Sequence, residues 1–217
     1  MKLTAAQKED LARTFIPSFL FVLLLWAIHI FQVQTGISFN TFGIYPKTIY
    51  GLKGIFFAPL IHADFNHLIN NSIPLLILTT TICHFYNSIS LKLFSLLWLV
   101  TGMCVWIGGR EAYHIGASGL IYGEASFLFF SGVFRKNIRL AAISLLVVFL
   151  YGGMVWGVFP IFREISWESH LFGGFTGLTF AFVFKDESPF NEMVEIEDED
   201  EDDYYLEDDE VFTKKEL

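Results

Sequence analysis

His114-Ile115-Gly116-Ala117-Ser118-Gly119-Leu120-Ile121-Tyr122-Gly123 is the stretch on which the reading of this chain turns. A serine sits between glycines and opens an apolar run that continues to Phe134. Two readings fit such a serine. It is a small residue for helix packing, or it is a nucleophile held inside a membrane. The remainder of the chain has to choose.

Composition chooses the solvent first. The chain has 217 residues, 53% of them hydrophobic and 18% aromatic, with 25 phenylalanines. Its mean hydropathy is +0.50. Apolar runs of this length cross a bilayer as helices, so the class is an integral membrane protein. The net charge of −9 hides a division. Residues 186–217 hold 16 acidic and two basic residues, a net of −14, and the preceding 185 hold 7 acidic and 12 basic, a net of +5. That composition predicts a solvated, disordered acidic C-terminal tail on a mildly basic body. Cys83 and Cys104 lie in or beside apolar runs without ligand spacing, and read as small buried hydrophobes.

Hydropathy predicts an all-α membrane protein, a bundle of six transmembrane helices. The first runs from about Phe15 to Val33, after a polar segment over 1–14, and reads as a retained helix. A loop of about 30 residues follows, rich in glycine and in aromatics suited to the membrane interface. Further helices are expected at about Phe65–Tyr86 (interrupted by Pro74), Leu91–Ile107, Ala117–Phe134, Ile138–Trp156 and Ser169–Phe184. One domain over 15–185 is the simplest organisation. With the N terminus inside, inner segments carry Lys2, Lys8, Arg13, Lys92, Arg135, Lys136, Arg139 and Lys185. Outer segments carry Lys47, Lys53, Arg110 and Arg163. This bias predicts that both termini are cytoplasmic.

In this topology the second, fourth and sixth helices begin on the same, outer side. His67 and Asn71 fall in the first turns of the second, Ser118 of the fourth and His170 of the sixth. Polar residues of three spans thus gather at one depth. The last helix has 16 residues and covers about 24 Å against roughly 30 Å of hydrocarbon, which favours a wet cavity open to the outer face. Gly119 and Gly123 are four apart, as are Gly173 and Gly177, the small-xxx-small spacing that lets helices approach. Packing through these stripes would bring the Ser118 hydroxyl to the His170 imidazole.

Such a pair can do chemistry. An imidazole takes the serine proton during attack and returns it to the leaving amine. The helix N terminus at Ser118 presents unpaired N–H groups to an oxyanion. His67 and Asn71, at i and i+4, offer side-chain donors from one face or, on the plainer reading, cap their own helix. Tyr122 lies on the Ser118 face and is placed to brace His170. No acidic residue stands where it would orient His170, which favours a dyad over a triad. H-E-x-x-H is absent and no cofactor is expected. Glu124 reads as a hydrogen-bonded structural acid facing the bundle interior. His62 and His67 are five apart, poor spacing for two ligands on one helical face, and His114 reads only as part of the loop before Ser118.

At these residues the sequence resembles the rhomboid family of intramembrane serine proteases. The matching pieces are Gly116-Ala117-Ser118-Gly119 with Tyr122 and Gly123, His170-Leu171-Phe172-Gly173 with Gly177, and His67-Leu68-Ile69-Asn70-Asn71. The resemblance covers about residues 15–184. It implies that Ser118 is the nucleophile and His170 the general base. It also implies that His67, Asn71 and the Ser118 backbone N–H line the oxyanion hole. Tyr122 is then the ring that stacks on the histidine, and Gly116 the glycine two before the nucleophile. The partners implied are the lipid bilayer and transmembrane protein substrates cut near the outer surface, not nucleic acid, and the membrane implied is a bacterial inner membrane. Substrate is expected to pass a gate spanning about Ala141 to Glu168. The Trp-Arg pair common in the family's first outer loop is missing, and Ser169 stands before His170 where alanine is frequent. Two other classes remain: a catalytically inactive rhomboid-like protein that binds transmembrane segments, and a small transporter with Ser118, His170 and Glu124 along a polar path. The transporter reading lacks discontinuous half-helices.

Overall fold

A computed structural model describes residues 5–150, 156–161 and 165–187. Among these residues the architecture is all-helical. Six helices of 13 residues or more follow one another: α1 (Ala5–Thr35), α2 (Phe65–Phe85), α3 (Ser90–Gly108), α4 (Ser118–Phe134), α5 (Ile138–Leu150) and α6 (Trp167–Val183). Three apolar segments are long enough to span a membrane on their own: Leu11–Thr35 in α1, then α2 and α3. The acidic tail beyond residue 187 and the expected continuation of α5 through 151–155 lie outside the described residues, as do 162–164.

The first helix departs from the hydropathy reading. It begins about ten residues before Phe15, because the stretch Ala5 to Arg13 consists largely of good helix formers. Polarity marks where the apolar part starts, not where the backbone stops being helical.

Local chemistry sets the other boundaries. Asp64 caps α2, its carboxylate accepting from the His67 backbone N–H at 2.8 Å. The cap is therefore Asp64, and the His67 and Asn71 side chains are left for other contacts. Asn137 caps α5 through its Oδ1, which accepts from the backbone N–H groups of Arg139 (3.1 Å) and Leu140 (3.4 Å). The loop between α1 and α2 is a chain of short turns over Asn40–Phe42, Ile49–Gly51, Gly54–Phe57 and Ala58–Leu60. It docks on α3 without a Trp-Arg pair. Trp98 and Trp106 of α3 donate their indole N–H groups to the carbonyls of Ile55 (2.9 Å) and Thr48 (2.8 Å). Phe56, Phe57 and Tyr50 of this loop are exposed, as suits a membrane interface.

The two glycine stripes meet. A Cβ built on Gly173 would strike the Gly119 carbonyl, and one on Gly177 the Gly123 carbonyl, so α4 and α6 touch backbone to backbone. Ser126 adds a hydrogen bond to the Gly174 carbonyl at 2.7 Å. At the far end Arg135 donates to the Phe184 carbonyl at 2.6 Å. The core is aliphatic and aromatic, with Leu68, Leu75, Leu97, Phe127 and Leu128 fully buried. Glu124 is fully buried too and accepts from Thr79 Oγ1 at 2.7 Å, joining α4 to α2 as a hydrogen-bonded acid.

Candidate active site

The site lies at the N-terminal ends of α2, α4 and α6. Ser118 is the first residue of α4. Its helix has no side-chain N-cap, since Ala117 holds that position, so the first backbone N–H groups have no capping acceptor. His170 lies in the first turn of α6 and is buried. The close glycine packing just below brings His170 Nε2 to 2.8 Å from Ser118 Oγ.

The tautomer follows from the second ring nitrogen. His170 Nδ1 lies 2.8 Å from the Gly157 carbonyl oxygen, which can only accept. In the neutral ring Nδ1 therefore carries the proton. Nε2 has the lone pair and accepts from the Ser118 hydroxyl. Tyr122 stacks on the imidazole with ring centroids 4.2 Å apart and planes at 9°. The ring is held by a carbonyl on one edge and an aromatic face on one side, with its basic nitrogen aimed at the serine.

Across the site, Gly116 has φ +105, a conformation that favours glycine. A Cβ there would come 2.6 Å from His67 Nε2. Its glycine is thus required twice, by the backbone and by the imidazole. The Gly116 N–H donates to the Ala58 carbonyl at 2.8 Å, pinning this turn to the loop between α1 and α2. His67, Asn71, Ser118 and His170 line one cavity of about 490 Å³, which Arg110, His114 and Ser166 also border. The candidate site residues Ser118, His170, His67, Asn71, Tyr122 and Gly116 thus occupy one neighbourhood, whereas Glu124 lies apart, bonded to Thr79.

Three contributors were discounted or invisible in the sequence. His62, read from the sequence only as poorly spaced to ligate together with His67, lies 3.0 Å from Asn71 Nδ2 through its Nε2. An amide nitrogen only donates, so Nε2 accepts, and Asn71 is held in place with a second N–H to spare. Burial pushes the His62 pKa down to about 3, which keeps that acceptor available. His62 is not on the helix, so it reaches Asn71 from outside α2 and does not share a helical face with His67. It precedes the Asp64 cap and folds back. His114 is not a plain loop residue: it is buried and bonded at both ring nitrogens, to Ser166 Oγ at 2.5 Å and to the Arg110 carbonyl at 3.1 Å. Gly157 acts through its carbonyl, which no side-chain pattern reveals.

These features describe a multi-pass helical membrane protein in which a serine at the head of one helix meets a buried histidine of another. The chain belongs to the rhomboid family, for the family model described as "Rhomboid domain" matches residues 50–187. It is 34% identical over 172 residues to an uncharacterized protein of Mycobacterium bovis, covering 75% of this chain and 72% of that protein. An uncharacterized protein of Mycobacterium tuberculosis matches with the same figures. One from Mycobacterium leprae is 33% identical over 172 residues, 75% of this chain and 68% of its own. The family is one of intramembrane serine proteases acting on membrane proteins.

Proposed function

We propose that the chain is an intramembrane serine endopeptidase that cuts transmembrane segments of other membrane proteins near the outer surface. The observation that carries this reading is the 2.8 Å contact between Ser118 Oγ and the basic nitrogen of His170, inside a helical bundle. Ser118 Oγ attacks the scissile carbonyl carbon while its proton passes to His170 Nε2. The oxyanion is met by the Ser118 backbone N–H, the Asn71 amide and the His67 ring. Collapse breaks the C–N bond, and His170 gives its proton to the leaving amine. Water then attacks the acyl-enzyme with His170 as base, releasing the acid and restoring Ser118. Tyr122 and the Gly157 carbonyl hold the imidazole through the cycle. Gly116 leaves room for His67.

The catalytic unit in this reading is residues 15–185, with residues 1–14 and the acidic segment 186–217 in the cytoplasm. The cavity then faces the outer side, and the chain sits in a bacterial inner membrane.

The test uses purified protein, a fluorophosphonate probe and a reporter transmembrane substrate. Wild type is expected to label and to cleave. Ser118→Ala and His170→Ala are expected to lose on the order of 10³-fold or more in cleavage, with no labelling of Ser118→Ala. Labelling that persists in Ser118→Ala sinks the nucleophile assignment. A wild type that binds the substrate without cutting it supports the inactive, segment-binding alternative.

A further inference from the structure

Glycine packing explains how α4 and α6 approach, but not what holds their first turns. Ser118 and His170 each precede the stripe, in turns whose backbone lacks intrahelical partners on one side. Neither helix has a side-chain cap bond, at Ala117 or at Ser166. Helix ends of this kind fray. A first turn left to itself would not keep a 2.8 Å contact between two separate helices.

A polar network outside the dyad supplies the missing restraint. Its members come from the segment before α4 and from the start of α6. Arg110 Nη2 donates to the Ile165 carbonyl at 2.8 Å. Its Nε lies 3.6 Å from Glu168 Oε1, and its backbone N–H donates to the same oxygen at 3.4 Å. Glu168 is two residues before His170 and only 3% exposed. A second strand of the network runs through His114. Its Nε2 faces the Arg110 carbonyl, so Nε2 carries the proton and Nδ1 accepts. The Ser166 hydroxyl then donates to Nδ1 at 2.5 Å and accepts from Ser169 Oγ at 2.6 Å. One protonation pattern satisfies every link. Burial lowers the His114 pKa, in keeping with the neutral ring the pattern needs. The network is also anchored, because the His114 backbone exchanges hydrogen bonds with Ile44 of the loop between α1 and α2 at 2.8 and 2.9 Å.

We infer that Arg110, His114, Ser166 and Glu168 are positioning residues, a clamp that fixes the first turn of α6 against the segment leading into Ser118 and thereby sets the Ser118–His170 distance. The inference rests on the protease reading above. The clamp touches no reacting atom. It acts on geometry, so its loss slows the chemical step and leaves substrate affinity in place. Misplacement of reacting groups by a fraction of an ångström to an ångström costs about 10- to 100-fold in rate.

The experiment takes the full chain in detergent or liposomes and measures kcat, KM, the fluorophosphonate labelling rate and the melting temperature. The variants are Glu168→Gln, His114→Ala, Ser166→Ala and the His114→Ala/Ser166→Ala double. Each single variant is expected to lower kcat and labelling by about 10- to 100-fold, with KM within about twofold of wild type and the folded fraction unchanged. The double is expected to be no worse than its worse single, because both changes break one chain of bonds. Wild-type rates in Glu168→Gln and His114→Ala overturn the inference. So do additive losses in the double, a loss confined to KM, or one that only follows a lowered folded fraction. A wild type that neither labels nor cleaves overturns the protease reading and this inference with it, whereas an active wild type with equally active variants overturns the inference alone.

Discussion

At the scale of single residues, the site is built from groups whose protonation is set by fixed neighbours. A carbonyl at Gly157 selects the His170 tautomer, and His62 selects the orientation of the Asn71 amide. On the protease reading proposed above, the Asn71 amide would serve charge that develops only in the transition state. Asn71→Ala is expected to lower kcat by about 10²- to 10³-fold with little change in KM, measured as steady-state cleavage of the reporter substrate. His62 gives a pH prediction. Its pKa falls from 6.5 in the unfolded chain to about 3 in the fold. Between those values the unfolded state binds the extra proton, so stability rises with pH across that window. The contribution is fully present above pH 6.5 and is lost progressively as pH falls towards 3. Melting temperature followed from pH 7 to pH 4 should decline in wild type and decline less steeply in His62→Gln. Equal slopes would show that His62 does not carry the effect.

At the scale of elements, the α4–α6 contact decides whether Ser118 and His170 meet. Gly173 has the Gly119 carbonyl where its Cβ would go, whereas adjacent Gly174 has nothing within 4 Å. The two glycines make a matched pair. Gly173→Ala is expected to cost about 1–3 kcal/mol and to reduce cleavage, because the helices must separate above the glycine contact and the serine and histidine separate with them. Gly174→Ala is expected to keep activity and to be neutral or slightly stabilising, since alanine favours a helix by up to about 1 kcal/mol over glycine. Unfolding in detergent and reporter cleavage, run on both variants, check the pair. Equal damage from both substitutions would mean that helix propensity, and not the close approach, sets the cost.

At the scale of the whole molecule, the basic cluster after α4 and α6 and the site lie at opposite ends of the bundle. Ser118 opens α4 and Arg135 closes it, 17 residues later, about 25 Å away. Arg135, Lys136 and Lys185 cluster at that far end, near the last turns of α4 and α6. The excess of basic residues predicts that this end is cytoplasmic and that the cavity faces outward. A membrane-impermeant maleimide applied to intact cells should label a Lys53→Cys variant and spare Lys136→Cys, with the native cysteines replaced. Labelling of Lys136→Cys in sealed cells reverses the orientation.

Much of this was legible without coordinates. Hydropathy marked the helices, because burying backbone in lipid demands helix and long apolar runs are its trace. Helix direction then placed His67, Asn71, Ser118 and His170 at one depth, and the four-residue glycine spacing named the faces that meet. The family's residues fell on the same positions. What the chain could not reveal are contacts made by backbone or by side chains remote in sequence. The Gly157 carbonyl orients His170, His62 holds Asn71 from outside the helix, and Arg110 and His114 reach α6 across more than 50 residues. Periodicity describes only a face of one element. Which carbonyl or hydroxyl stands opposite depends on how two elements dock, and that is settled by close packing in three dimensions.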